Sequence, residues 1–217
     1  MPRLELHPLS DLRSEAAALL AERFARQRAA EPLLPEIENF EPLLPAAGLV
    51  ATRGGEAVAY LADEGEETHR VSLAGQAARE PEALRNLFAA LAAASGRDRF
   101  GVAVPASAPD LIDVWFKLAF GCQFMWAVRE TELADPFDFG GVIRPGTSDD
   151  LDAAASFDED LIRHQQQSPS FSGMEMPSRD EMLADWADTW EGQDEFTHFV
   201  AELDGRVVGQ AMLYTRP

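Results

Sequence analysis

The sequence predicts an α/β fold of stacked layers: a mixed, mostly antiparallel sheet flanked by helices, followed by the first half of a second unit of the same kind. Three observations predict it. Short apolar runs of strand length alternate with longer segments whose apolar residues recur every 3.6 positions. Tight-turn signals, Gly54-Gly55 and Asp204-Gly205, each separate two such runs, as in hairpins. The chain also repeats its own beginning. Val50-Ala51-x-x-x-Gly55-x-x-Val58 returns at the same spacing as Val200-Ala201-x-x-x-Gly205-x-x-Val208.

The elements follow in order. Leu4-Glu5-Leu6-His7 alternates as a strand and stops at Pro8. Ser10 or Asp11 is expected to cap a helix over 11–29, whose stripe is Leu12, Ala16, Leu20 and Phe24, with Arg23, Arg26 and Arg28 toward the negative end of its dipole. Glu31-Pro32-Leu33-Leu34-Pro35 and Glu41-Pro42-Leu43-Leu44-Pro45 form a small proline-bracketed repeat with no functional reading. Residues 48–52 and 57–61 read as a hairpin, and 69–73 as a further strand. Pro81 opens a helix carrying Leu84, Leu87, Phe88 and Leu91; 100–104 is a strand, 110–118 a helix and 123–129 a last strand. A linker near Asp135–Gly141 divides a first domain, 1–135, from the opening of a second, 141–217. There Ile143-Arg144-Pro145 followed by Asp149-Asp150-Leu151 echoes Leu6-His7-Pro8 followed by Ser10-Asp11-Leu12. Ser178 with Glu181 signals a capping box for a helix whose Trp186 and Trp190 suit a core face. The second copy ends before the counterpart of 69–73, so the sequence reads as truncated within it.

Composition narrows the function. The 217 residues carry 18 Lys+Arg against 38 Asp+Glu, a formal charge of -20. Nucleic acid and anionic lipid both require a cationic footprint, so neither is an expected partner. The acidity reads as a solubilising surface or as a field that attracts cationic amines. Cys122 is the only cysteine, and it is expected to be a small buried hydrophobe. With no disulfide, no signal peptide and no apolar run of bilayer length, the expected compartment is the cytoplasm. His7, His69, His164 and His198 lack zinc-site spacing, no metal is expected, and His198 reads as a packed strand residue.

Three segments together resemble the GNAT superfamily of acyl-CoA-dependent N-acetyltransferases: the paired strand-helix-hairpin openings, Phe196–Ala211 with Asp204-Gly205 at its tip, and Ala108–Gly121, similar to the family's late helix. Two copies in one chain resemble a tandem GNAT protein. The resemblance implies direct attack of an amine on the acetyl-CoA thioester, with the cofactor's pyrophosphate on backbone N–H groups of a glycine-rich loop entering a helix. The amine would be a small molecule or a peptide. In the first copy the loop's place falls on Leu73, Gly75 and Gln76, without a Gly-x-Gly and with Glu80 where the anion belongs, so these residues are read as a vestigial cofactor loop. The family's thiolate-protonating tyrosine is replaced by Trp115 and its following glycine by Ala119. The first copy is thus expected to be non-catalytic, with catalysis in the second and its catalytic residues unidentified. Phe171 and Met174, in the polar loop after the second copy's first helix, are the candidate acceptor-binding residues, the other reading being that they pack beneath the loop. A non-catalytic binding protein that kept the fold is the alternative. The strand Arg206–Tyr214, with no proline or lysine to blunt it, is expected to be an open sheet edge that joins two chains.

Overall fold

A computed structural model describes residues 2–64, 69–96, 100–123, 125–127, 130, 138–167, 175–191 and 196–214. The protein is α+β and divides into two compact units. One holds the described residues up to Phe120 with 126, 127 and 130; the other holds 121–123, 125 and 138–214. Among the described residues, no helix is long and apolar enough to cross a membrane.

The first unit runs β1 (Leu4–Pro8), α1 (Arg13–Ala30), β2 (Gly48–Arg53), β3 (Glu56–Ala62), β4 (His69–Val71), β5 (Gln76–Ala78), α2 (Ala83–Ser95), β6 (Phe100–Val102) and α3 (Pro109–Lys117). Strands β1, β2, β3 and β5 form an antiparallel sheet in that order, while β4 pairs in parallel with β6. Strand alternation sorts the apolar side chains into two cores. Val50, Tyr60, Ala62 and Ala77 pack with Leu9, Ala16, Leu19 and Leu20 beside α1. Ala51, Ala59, Leu61 and Ala78 pack with Leu84, Leu87, Leu111, Val114 and Trp115 of α2 and α3. Each fully buried leucine contributes about 1.5–3 kcal/mol, so the two faces together hold the layers in place.

Several expectations are corrected. Neither Ser10 nor Asp11 caps α1; a 3-10 turn over Leu9–Asp11 intervenes, and the Ser10 hydroxyl donates to Asp11 instead. Burial of Leu9 draws the chain into that turn. The strand expected over 69–73 ends at Val71, and residues 73–75 form another 3-10 turn. Strand β5 has no signal in the sequence, because three residues of Gln-Ala-Ala carry neither β-branching nor alternation. Its position comes from pairing with Ala59–Leu61. No strand forms at 123 or 125–127, where Met125 and Trp126 are exposed. Cys122 is exposed, not buried.

The second unit runs β7 (Val142–Pro145), α4 (Leu151–Gln167), α5 (Arg179–Glu191), β8 (Phe196–Leu203) and β9 (Arg206–Tyr214), with the strands antiparallel in the order β7-β8-β9. Its core is Ala154, Ala155, Ile162, Met182 and Trp186, with Trp190 and Met212 against it. Ser178 and Glu181 form the expected capping box.

The two hairpins share their register residue for residue. Ala51 faces Ala59, Thr52 faces Ala57 and Arg53 faces Glu56; Ala201 faces Gly209, Glu202 faces Val207 and Leu203 faces Arg206. In each, one residue of the returning strand, Val58 or Val208, is left without an opposite number as a bulge. Both turns have two consecutive positive φ angles, Gly54 with Gly55 and Asp204 with Gly205, as a type I′ turn requires. β9 is the outer strand of its sheet among the described residues, and the Val208 bulge interrupts its edge.

Candidate functional site

In the first unit the sheet parts between β5 and β6: β5 turns to pair with β3, whereas β6 keeps its partner β4. Separated strands leave backbone carbonyls without ladder partners, and buried side chains supply the missing donors. Gln76, fully buried, donates from Nε2 to the Ala103 carbonyl at 2.6 Å, and its Oε1 accepts from Trp115 Nε1 at 2.8 Å. Arg23 reaches in from α1 and donates from Nη1 to the carbonyls of Leu73 at 2.6 Å and Gln76 at 3.2 Å. Tyr60 donates its hydroxyl to the Ala74 carbonyl at 2.6 Å, and burial pushes its pKa well above the ordinary phenol value. Gly75 is required by close approach, since a Cβ there would lie 2.7 Å from the Ala62 carbonyl oxygen.

Leu73, Gly75 and Gln76 therefore stand together, but in the turn that enters β5 and at its first residue, not where a strand enters a helix. The segment that leads from the main sheet into α2 is residues 79–82. There the backbone N–H groups of Arg79 and Glu80 donate to the carbonyl of the bulged Val58. The Glu80 carboxylate pairs with Arg53 at 2.9 Å, and Arg79 pairs with Glu22. Trp115 closes the network from α3 with its ring edge-on to Phe88 and Phe120. Ala119 lies in the left-handed region at φ 66°. It forms the C′ position of a Schellman motif: Phe120 N–H donates to Trp115 and Ala119 N–H to Phe116.

Next to this network lies a cavity of about 190 Å³ between α1 and the start of α3. Arg23, Arg26 and Gln27 line one side, and Ser107, Ala108 and Asp110 the other. Arg23 and Gln27 are 4% and 7% exposed, yet Arg23 Nε and Gln27 Oε1 have no hydrogen-bond partner among the described residues. Burial lowers the Arg23 pKa from its ordinary value; Tyr60 opposes that shift and Arg26 adds to it. Sequence reading missed both residues as site candidates, taking the arginines as dipole partners. The available signal was their place on the buried stripe of α1, in line with Ala16, Leu19 and Leu20.

The other sequence candidates are dispersed. Phe171 and Met174 lie outside the described residues. His7 shares a hydrogen bond with Thr52 at 2.9 Å, and His164 is exposed in the last turn of α4. His198 is buried against Trp186 and Trp190, with Nε2 3.1 Å from Gln210 Oε1. Among the described residues no group of His, Cys, Asp or Glu is arranged to hold a metal ion. No protein-family model matches the sequence, and no curated protein matches it.

Proposed function

We propose that the chain is a GNAT-like protein of the N-acetyltransferase type, with a non-catalytic first copy and transfer of acetyl from acetyl-CoA to an amine carried out by the second. The observation that carries the first half is the filling of the gap between β5 and β6. Gln76 and Trp115 are bonded to each other there and Arg23 donates to the Gln76 carbonyl, so a thioester entering there would have to break these interactions. Trp115 adds a chemical reason. An indole N–H has no useful acidity, so it cannot protonate a leaving thiolate, and here it is already committed to Gln76. The segment entering α2 carries the Glu80 carboxylate where a pyrophosphate would need positive potential. The second half of the reading rests on the matched registers of the two hairpins, which support two copies of one fold.

Calorimetric titration of acetyl-CoA into the chain tests the first half: no tight binding that depends on residues of the first unit is expected. A micromolar Kd, about -8 kcal/mol, with binding lost on replacing residues of the first unit, overturns the non-catalytic assignment. Release of free thiol from acetyl-CoA in the presence of primary amines and the chain tests the second half. A binding protein without turnover is the second reading, favoured by the cavity that neighbours the buried polar network.

A further inference from the structure

The matched registers allow the two sheets to be compared face by face. In the first unit Val50, Tyr60 and Ala62 lie on the α1 side, while Ala51, Val58, Ala59 and Leu61 lie beneath α2 and α3. The counterparts of the first set are Val200, Gln210 and Met212, on the side of α4 and α5: Val200 is buried, Met212 packs against their core and Gln210 donates to the Ala154 carbonyl. The counterparts of the second set are Ala201, Val208, Gly209 and Ala211. Both described helices of the second unit pack on the other face. Val58 is therefore 7% exposed and Val208 51%, and buried Leu61 corresponds to exposed Ala211.

The bare face is apolar. Exposed Ile143 and Leu213 and half-buried Phe199 share it, by register, with Ala201, Gly209 and Ala211. The chain has 38 acidic residues against 18 basic ones, yet no β7–β9 residue on this face is acidic. Its one charge is exposed Arg206, opposite Leu203 at the hairpin end. A solvated sheet face in so acidic a chain would carry carboxylates, whereas a contiguous uncharged one marks a contact surface. Small side chains leave room at its centre, where a Cβ on Gly209 would meet only the Ala201 Cβ, at 3.8 Å. On the first sheet that place is taken by a helix: α2 lies across β2 and β3, and its Leu84 and Leu87 pack with Ala51 and Ala59. The cation at that hairpin end, Arg53, is met by Glu80, just ahead of α2.

We infer that the bare face docks an amphipathic helix of a separate protein chain, lying across β8 and β9 as α2 lies across β2 and β3. The helix presents leucine-type residues three to four positions apart along one stripe and a carboxylate at its N-terminal end. The stripe fills the space over Ala201, Gly209 and Ala211, and the carboxylate meets Arg206. A second copy stacked face to face would bring Arg206 no carboxylate from this face, and a net charge of -20 repels an anionic membrane. The inference rests on the two-copy part of the reading above and not on acetyl transfer.

The test is titration of the whole chain, without acetyl-CoA, with a peptide of its own residues 80–96. That peptide carries Glu80, Leu84, Leu87 and Leu91, and a covalent staple between the exposed positions 85 and 89 holds it helical. Amide chemical shifts should move at Ile143 and along 199–213 and not in the first unit, with a submillimolar Kd. Ala211→Arg, at an exposed side chain outside the core, should weaken binding at least about tenfold by placing a charge under the stripe. Leu87→Glu in the peptide should abolish it. Arg206→Glu should weaken it about two- to fivefold at low salt and less at high salt. The inference is overturned if millimolar peptide leaves 199–213 unmoved, or if Ala211→Arg leaves the affinity unchanged. It is equally overturned if Ala211→Arg turns a self-associated wild type into a monomer, which would seat a second copy on the face. Peptide binding without thiol release would count against the acetyltransferase reading alone, and thiol release without peptide binding against this inference alone.

Discussion

The Gln76–Trp115 pair offers a prediction whose size can be worked from the structure. Trp115→Phe keeps an aromatic ring against Phe88 and Phe120 but removes the N–H that satisfies Gln76 Oε1, which is fully buried. A stranded buried acceptor costs about 1–3 kcal/mol. Gln76→Met keeps length and bulk but strands the Trp115 N–H and leaves the Ala103 carbonyl short of a donor, about 1–3 kcal/mol for each. The double variant strands only the Ala103 carbonyl, so its cost falls back to about 1–3 kcal/mol. The two changes should therefore be non-additive, with a coupling of about 2–6 kcal/mol, the cost of the two stranded partners of the lost bond at about 1–3 kcal/mol each. Urea unfolding of the wild type, both single variants and the double variant measures this directly. In a domain of about 100 residues each kcal/mol also appears as about 4–8 °C in Tm. Additivity within about 0.5 kcal/mol would show that the network does not hold the two elements together, and the claim that the gap is closed by its own side chains would fall with it.

Three further outcomes are expected. Ala119→Gly should stabilise the protein by about 1 kcal/mol, because Ala119 is exposed and occupies the left-handed region, where a Cβ costs about 1–2 kcal/mol; a lower urea midpoint would contradict the Schellman geometry. Asp150 accepts from both terminal nitrogens of Arg144 and from Thr147, and those bonds, Arg144's first, hold its carboxyl well below the usual carboxylate range. Its stabilisation is therefore complete above the unfolded value near pH 4 and is lost as pH falls toward the lower folded value. Asp150→Asn should flatten the acid limb of stability against pH, and an unchanged limb would assign acid unfolding to other carboxylates. Finally, the outer edge of β9 past its bulge, Gly209–Ala211, is expected to pair with a second chain. Gln210→Pro should dissociate the dimer while Gln210→Ala, which loses the side-chain contacts to His198 and the Ala154 carbonyl but keeps the backbone N–H, should not; a wild-type monomer at high concentration in light scattering refutes it.

Local chemistry was enough for some elements and not for others. The hairpin turns and the Ser178–Glu181 capping box depend on interactions within a few residues, so Gly-Gly, Asp-Gly and Ser-x-x-Glu announce them. The 150-residue recurrence of Val-Ala and Gly-x-x-Val likewise anticipates two hairpins with one register, because side-chain alternation and turn type together set pairing. Strand β5 was illegible, since alanines become a strand only when Ala59–Leu61 offers them a ladder. Residues 123–129 erred in the other direction: apolar composition suggested a strand and a buried Cys122, yet 123 and 125–127 are not in a strand, and Cys122 is exposed.

The candidate site divides in the same way. Leu73, Gly75, Gln76 and Trp115 were singled out from the sequence by resemblance, and the fold gathers them, but as a closed network at the entry to β5. That Arg23 and Gln27 face a cavity could not be read from α1 alone. A polar residue on an apolar stripe has meaning only once the opposing wall is known, and that wall, Ser107–Leu111, comes from residues about eighty positions away. The sequence by itself determined the layers, the turns and the repeated register through short-range sterics and periodicity. Only the tertiary structure decided which buried polar atoms find partners and which do not, because hydrogen-bond satisfaction is a property of the assembled interior and not of any segment within it.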